Sequence, residues 1–428
     1  MATVIASGAS GGVPKRTILV GLCFAATFVC YIDRVNISVA IIPMAEEYGW
    51  SATTKGLVLS SFFIGYLVAM LPAGALASRF GGKALLGVAL LGWSLFTLLT
   101  PLAAGVSLGA LLGVRILMGV GEAASFPAVY NLLARWFPLR ERTRAATLNL
   151  TGIPLGTVAA LSVAGWLVAA HGWRSVFYVF GVAGVAFAVV WLRFVHPRPS
   201  AHPTITADEL AYLAPCEADC DGHAGRPPWQ RLWASPAVRA LTINHFCGNW
   251  TFYLLLTWLP SYFRDVQHLP VATSGLFAVA PWLCYFISLN ATAWAVDGVV
   301  ARGGDLTRIR KTCIAVGLLG SGAGLVVTGQ AATPEAALAA LCATLAVLAV
   351  ASANVMSNHL DIAPRHAAAT MSITNTAGTL PGVLGVAITG WLLDLTGGYA
   401  ATFALAAGIN VVGAAVFAIW GSGRRAVD

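Results

Sequence analysis

The chain has 428 residues, 58% of them hydrophobic and 10% charged, with a formal net charge of +8 and a mean hydropathy of +0.78. Such a chain is too apolar for a water-soluble domain. At roughly 20 apolar residues per span, about twelve crossings consume most of it and leave no room for a large soluble domain. The positive balance calls for no nucleic acid, because the basic residues collect in alternate loops, as a membrane protein with its amino end inside requires.

In chain order, residues 1–16 are rich in Gly, Ser and Ala and read as a disordered cytoplasmic N-terminus. The run Thr17 to Ile42 outlasts a signal peptide's apolar core and is expected to stay as a helix. Further spans are expected at Lys55 to Ala77, Ala84 to Thr100, Val106 to Leu133, Arg144 to Ala170 and Ser175 to Val195. These six make an N-terminal bundle over 17–195. Residues 196–236 form a Pro-rich, mixed-charge cytoplasmic linker, in which Thr206-Ala207-Asp208-Glu209 is a capping box that predicts a short helix through Leu213. The second bundle, 237–420, holds spans at Ala237 to Tyr262, Thr273 to Asp297, Thr312 to Gln330, Glu335 to Asn358, Ala367 to Leu393 and Ala400 to Trp420, followed by a cytoplasmic tail over 421–428.

The runs are continuous in Ala, Gly and Leu, which excludes the alternating segments of a barrel. The fold class expected is therefore an all-α membrane protein of about twelve transmembrane helices in two parallel six-helix bundles. The halves echo each other: Gly56, Leu57 and Tyr66 lie over Gly275, Leu276 and Tyr285 at one shift, and Gly165-Trp166-Leu167 over Gly390-Trp391-Leu392 at another. Both matches preserve span order, and the linker falls between the copies. Outside the membrane-spanning Arg34 and Arg115, only Lys55, Arg174 and Arg264 put positive charge on the outer side, so both termini are cytoplasmic.

Four residues break the apolar pattern. Asp33 and Arg34 stand side by side in the first span, and Arg115 and Glu122 lie two helical turns apart, on one face, in the fourth. A charge near mid-bilayer costs on the order of 3 kcal/mol, so such groups are kept for function. The remaining possibility is a static role, with Arg115 and Glu122, or Asp33 and Arg34, paired only to fix helix packing. Cysteines within the apolar runs read as packing residues, and Cys216, Cys220 and His223 match no zinc pattern. His245 reads as a satisfied polar contact, and His359, Asp361, Arg365 and His366 as a gate or loop scaffold. Asn149, Thr151, Asn354 and Ser357 read as interhelical hydrogen-bond partners.

Several stretches carry a resemblance: DRVN at Asp33 to Asn36, RILMGVGE at Arg115 to Glu122, RWFPLRERTRA at Arg135 to Ala145, and FCGNWTFYLLLTWLP at Phe246 to Pro260. The loop motif Gly74 to Lys83 and, most specifically, SNHLDIAPRHAAATMSITNTAGTLPG at Ser357 to Gly382 complete it. With these the chain resembles the major facilitator superfamily, and within it the anion:cation symporter branch that includes sialin, vesicular glutamate, plastid phosphate and bacterial sugar-acid carriers. Ser78 stands where the loop motif usually has an acid.

The resemblance implies a secondary active transporter that works by alternating access, and no enzyme. A carrier of anions needs a fixed cation, and Arg34 suits it, since a guanidinium stays charged in oil and holds carboxylate or phosphate bidentately. Similarity to the sugar-acid symporters adds Tyr31, Tyr66 and Asn375 around the substrate, and position adds Tyr253. For proton coupling the expected groups are Asp33 and Glu122, with Arg115 as the switchable partner. The expected activity is proton-coupled symport of a small organic anion, a sugar acid or other carboxylate, with sodium- or proton-coupled phosphate transport as the alternative. An acid at Asp33, absent from the vesicular members, favours symport into the cytoplasm, and Gly248 in place of their span-seven arginine disfavours glutamate. A membrane-embedded enzyme or an anion sensor is the competing class. The expected partners are a small anionic solute and membrane lipids, with no cofactor beyond the coupling ion, in a monomer of the bacterial inner membrane.

Overall fold

A computed structural model describes residues 13–221 and 228–427. Most of the expected N-terminal tail, and His223 with it, lies outside the described residues, as does the side chain of Cys220. No group of three or more metal-ligating side chains occurs among the described residues.

Every regular element among the described residues is helical, which is what oil demands of a backbone that has no water to bond to. The amino half contains α1 (Lys15–Tyr48), α2 (Ala52–Phe80), α3 (Gly82–Val106), α4 (Leu108–Glu122), α5 (Ser125–Trp136), α6 (Leu139–Leu150), α7 (Gly152–His171) and α8 (Trp173–Phe194). The linker carries α9 (Ala207–Asp221) and α10 (Trp229–Ala234). The carboxyl half contains α11 (Pro236–Asp265), α12 (Val271–Ala301), α13 (Leu306–Thr328), α14 (Pro334–Ile362), α15 (Ala367–Thr396) and α16 (Ala400–Trp420).

Among the described residues, eleven spans are long and apolar enough to cross a membrane, with α4 and α5 forming one of them and α6 and α7 contributing another. The twelfth is α11, whose 30 residues suffice in length while Arg239, Asn244, His245 and Asn249 lower its hydropathy. Proline explains the interrupted spans. Pro127 and Pro154 each lack the N–H that would bond the carbonyl four residues back, so the chain breaks after Glu122 and after Leu150, and the proline sits in the first turn of the next helix. The loop motif between α2 and α3 is a tight turn in which Gly81 has a φ of 78°, a conformation that favours glycine.

Two compact units emerge. The first comprises Met1–Arg34, Gly65–Thr157 and Phe177–Gly225; the second comprises Val35–Ile64, Val158–Val176 and Arg226–Asp428. Their limits cut through α1, α2, α7 and α8 and do not coincide with the sequence repeat.

Within the first unit, backbones approach closely where glycine permits it. A Cβ on Gly65 of α2 would overlap the Ile116 carbonyl of α4, and one on Gly82 would overlap that of Ala128. The expected linker helix is present and extends to Asp221. Thr206 caps it by accepting from the Glu209 N–H at 3.3 Å, as the capping box requires. The Glu209 carboxylate, however, takes the backbone N–H groups of Lys15 and Arg16 at 2.9 and 3.0 Å, satisfying orphan donors at the start of α1.

Within the second unit, the segments of α1, α2 and α7 that belong to it pack on carboxyl-half helices. Asp394 of α15 accepts from the N–H groups of Ala52 and Thr53 at the start of α2, at 3.0 and 2.7 Å. Three basic residues of this unit have acidic partners: Lys55 with Asp265, Arg174 with Glu47, and Arg264 with Glu46. Beneath them, α2 meets α15 at Gly56 and Gly390, and α7 meets α12 at Gly165 and Gly275. These are the glycines that the sequence repeat equates, Gly56 with Gly275 and Gly165 with Gly390, so the two contacts are copies of one packing solution.

Candidate functional site

The first unit gathers six of the sequence-singled residues in its interior. Neighbouring residues on a helix point about 100° apart, so Asp33 and Arg34 diverge despite adjacency. Arg34 turns to α4, where its Nε and Nη2 donate to the same oxygen of Glu122, Oε2, at 3.1 and 2.9 Å. Asp33 turns to α3, where Trp93 Nε1 donates to its Oδ2 at 3.1 Å. Arg34, Asp33 and Glu122 are 5%, 0% and 0% exposed, so these interactions operate away from bulk water.

One helical turn spaces Cys30, Tyr31 and Arg34 on a shared stripe of α1. The Arg34 guanidinium lies 4.7 Å over the Tyr31 ring and 4.7 Å over the Tyr66 ring of α2, and Nη1 reaches the Tyr31 hydroxyl at 3.4 Å. The cation therefore meets two aromatic faces. Cys30 donates its thiol to Glu122 Oε2 at 3.2 Å, and Ser125, at the start of α5, reaches Cys30 Sγ at 3.8 Å.

Arg115 is buried on α4, with Nη1 3.2 Å from the Met118 sulfur. The partner of Glu122 is Arg34, and Arg115, expected as the switchable partner of the acids, lies within electrostatic reach of both. Spacing of seven along α4 puts Arg115 and Glu122 on one face but two turns apart, farther than a salt bridge spans. Asp33 Oδ1 and Glu122 Oε1 take no hydrogen bond among the described residues.

Tyr253 and Asn375 belong to the second unit. Tyr253 packs edge-on against Phe63, with centroids 4.7 Å apart, and its carbonyl accepts from Thr257. Asn375 is half-buried on α15. The polar residues expected to bond between helices divide. Asn149 accepts from Thr27 of α1 at 2.8 Å and Asn354 accepts from Arg310 of α13 at 2.9 Å, whereas Thr151 and Ser357 bond carbonyls of their own chain segment.

Sequence reasoning missed Trp93, Cys30 and the half-buried pair of Arg310 with Asp361, 2.8 Å apart. Gly184 of α8 also belongs to the site, since a Cβ there would overlap Ser94 Oγ and stand 3.5 Å from Asp33 Oδ2. Cys30 was findable, one turn before Arg34; Trp93 and Gly184 carry no local signal. The arrangement holds a guanidinium against two aromatic rings and one oxygen of a carboxylate.

The Major Facilitator Superfamily family model matches residues 23–385. The chain is 39% identical over 420 residues to the sodium-dependent phosphate transport protein 1, chloroplastic, of Arabidopsis thaliana, covering 97% of this chain and 81% of that protein. It is 37% identical over 420 residues to the ascorbate transporter, chloroplastic, of the same plant, covering 97% and 76%. Among solved structures, it superposes on a bacterial homologue of the human lysosomal transporter Spinster, inward-facing and unoccupied, with a TM-score of 0.77 at 18% identity over 96% of this chain and 97% of that one. The resemblance to plastid phosphate carriers is thereby borne out; relatives named for the chloroplast lend no support to a bacterial inner membrane.

Proposed function

The chain belongs to the major facilitator superfamily, a family of transporters and not of enzymes, and we propose that it carries a small organic anion across its membrane in symport with protons. The observation that supports this most is Arg34, held between Tyr31 and Tyr66 and engaged by one oxygen of Glu122.

The coupling follows from competition. While Glu122 is ionised, it occupies the guanidinium that an incoming anion needs. A proton placed on Glu122 removes its charge and weakens its hold, and the anion's carboxylate takes its place on Arg34. Proton and anion then travel together, leaving the buried cluster no more highly charged than before. Asp33 is the second carboxylate of the relay. Trp93 donates to it, and Arg115 lies within reach, so a movement of α4 against α1 changes the charge that Asp33 faces. Anion release on the other side returns Glu122 to Arg34 as its proton leaves.

Phosphate is the second reading, favoured by the name of the 39%-identical relative, with sodium or a proton as the driving ion. A guanidinium accepts either oxyanion. Purified protein in proteoliposomes, given an inward acid gradient with and without sodium, separates the two. We expect accumulation of ascorbate or D-gluconate that collapses with a protonophore. Accumulation of phosphate alone, driven by sodium, would transfer the reading to the alternative, and no flux of any of the three would sink both.

A further inference from the structure

The second unit contains a pair of buried imidazoles that the acid relay does not use. His359 of α14 is 2% exposed and His245 of α11 is 5% exposed, with ring centroids 6.3 Å apart. Both lie where α11, α14 and α15 come together. A Cβ on Gly378 of α15 would stand 2.9 Å from the His245 ring, and Asn249 of α11 donates to the Gly378 carbonyl at 2.7 Å.

The hydrogen bonds of His359 constrain its protons. Its Nδ1 is 3.2 Å from the Met356 carbonyl oxygen, and its Nε2 is 2.6 Å from Thr374 Oγ1 on α15. That same hydroxyl lies 3.2 Å from the Met371 carbonyl oxygen. A carbonyl can only accept, so Nδ1 carries a hydrogen in either state. The threonine has one hydrogen and two acceptors available. With the O–H turned toward Nε2, the ring is neutral. With it turned toward Met371, the oxygen's lone pairs accept Nε2–H and the ring is an imidazolium. Rotation of one hydroxyl thus satisfies both protonation states without moving a heavy atom.

The surrounding groups suit a site that gains and loses charge. Asp361 stands two residues along on the same helix and is bound by Arg310 of α13 at 2.8 Å. From α11 the titratable neighbour is His245, whose Nδ1 has no hydrogen-bond partner among the described residues, and from α15 the contact is the Thr374 hydroxyl. A ring serving only as packing needs one fixed donor and one fixed acceptor.

We propose that His359 is a proton-binding site of the carboxyl half, separate from the Asp33 and Glu122 cluster, which takes up and releases its proton through the Thr374 hydroxyl and so ties proton occupancy to the contact of α14 with α15. Its bearing on transport rests on the carrier reading; the proton site itself does not. The test is nitrogen NMR of 15N-histidine-labelled full-length protein in nanodiscs across pH 5 to 8.5, with the His359 signals assigned by their loss in His359→Gln. We expect a doubly protonated ring at the acid end and a ring protonated at Nδ1 alone at the alkaline end. Thr374→Val, which keeps the shape of the side chain and removes the hydroxyl, is expected to abolish the doubly protonated signal over the same range. A His359 ring with one unchanging tautomer throughout, or a titration that Thr374→Val leaves intact, overturns the proposal. Because no solute is added, absent anion flux in proteoliposomes would defeat the carrier reading without touching this measurement.

Discussion

Two nitrogens of Arg34 converge on a single oxygen of Glu122, Oε2, while the second oxygen, Oε1, takes no hydrogen bond among the described residues. A carboxylate held this way, through one oxygen and in the interior, is strongly attached to its cation yet lacks the two-oxygen fork that would make the pair difficult to exchange. An anion presenting two oxygens in the guanidinium plane, between the rings of Tyr31 and Tyr66, is a better geometric match for Arg34 than Glu122 is.

Replacing Glu122 by Gln removes the competitor while preserving its shape. We expect Glu122→Gln to retain counterflow exchange of ascorbate or gluconate in proteoliposomes and to lose pH-driven accumulation by about tenfold or more. Arg34→Lys keeps the charge and loses the fork, with an expected rise in half-saturation of about 10- to 100-fold, corresponding to roughly 1.4 to 3 kcal/mol. Accumulation that is unchanged in Glu122→Gln would contradict the competition between carboxylate and solute.

Trp93 donates to Asp33 Oδ2, and Oδ1 takes no hydrogen bond among the described residues. Asp33→Asn is expected to leave exchange intact and abolish accumulation against a gradient, and Trp93→Phe, which removes the indole N–H and keeps an aromatic ring, to shift the pH profile of uptake. Both are read from initial rates at external pH 5.5, 6.5 and 7.5. If Asp33→Asn accumulates solute as the parent does, Asp33 has no part in coupling.

Span number and class were legible because oil imposes a length and a composition that a sequence displays directly. The four intramembrane charges were legible for the same reason. Their pairing was not. Spacing along α4 relates Arg115 to Glu122, but the bond that forms crosses from α1 to α4, and crossings depend on how far backbones approach at Gly65 and Gly184. Trp93 escaped notice because tryptophan in a span is unremarkable until its N–H is seen to face a carboxylate. The repeat of Gly56 and Gly165 in Gly275 and Gly390 was visible, yet only the structure reveals that the repeated glycines touch in crossed pairs.

That crossed pairing has a consequence for opening and closing on the outer side. A Cβ on Gly390 would overlap the Ala52 carbonyl, a backbone atom that cannot swing aside. Gly390→Ala is expected to hold the start of α2 away from α15, raising maleimide labelling of Thr53→Cys from outside several-fold and lowering uptake by about tenfold, with a stability cost of about 1–3 kcal/mol. Gly398→Ala is the control, since a Cβ there meets nothing within 4 Å. Equal labelling in the two variants would show that the glycine contact plays no part in closure.

The start of the linker offers a pH response outside the membrane. His196 and His202 lie in tilted contact with centroids 4.5 Å apart; Trp136 lies edge-on to His202 at 6.0 Å and donates to the His196 carbonyl at 3.1 Å. Burial, then Lys83, holds the His196 imidazole below its ordinary value, and burial, then His196 and Lys15, does the same for His202. The folded state therefore favours neutral rings. Its stabilisation is fully present above the unfolded-state value, about 6.5, and is lost as pH falls from there toward the depressed folded-state values. Amides over 196–202 are expected to exchange hydrogen several-fold faster at pH 5.5 than at pH 7.5 once corrected for intrinsic rates, while the capped turn at Thr206 is unaffected. His196→Gln combined with His202→Gln should erase the difference. Protection that is equal at the two pH values in the parent protein would mean that the rings do not hold the linker in place by staying neutral.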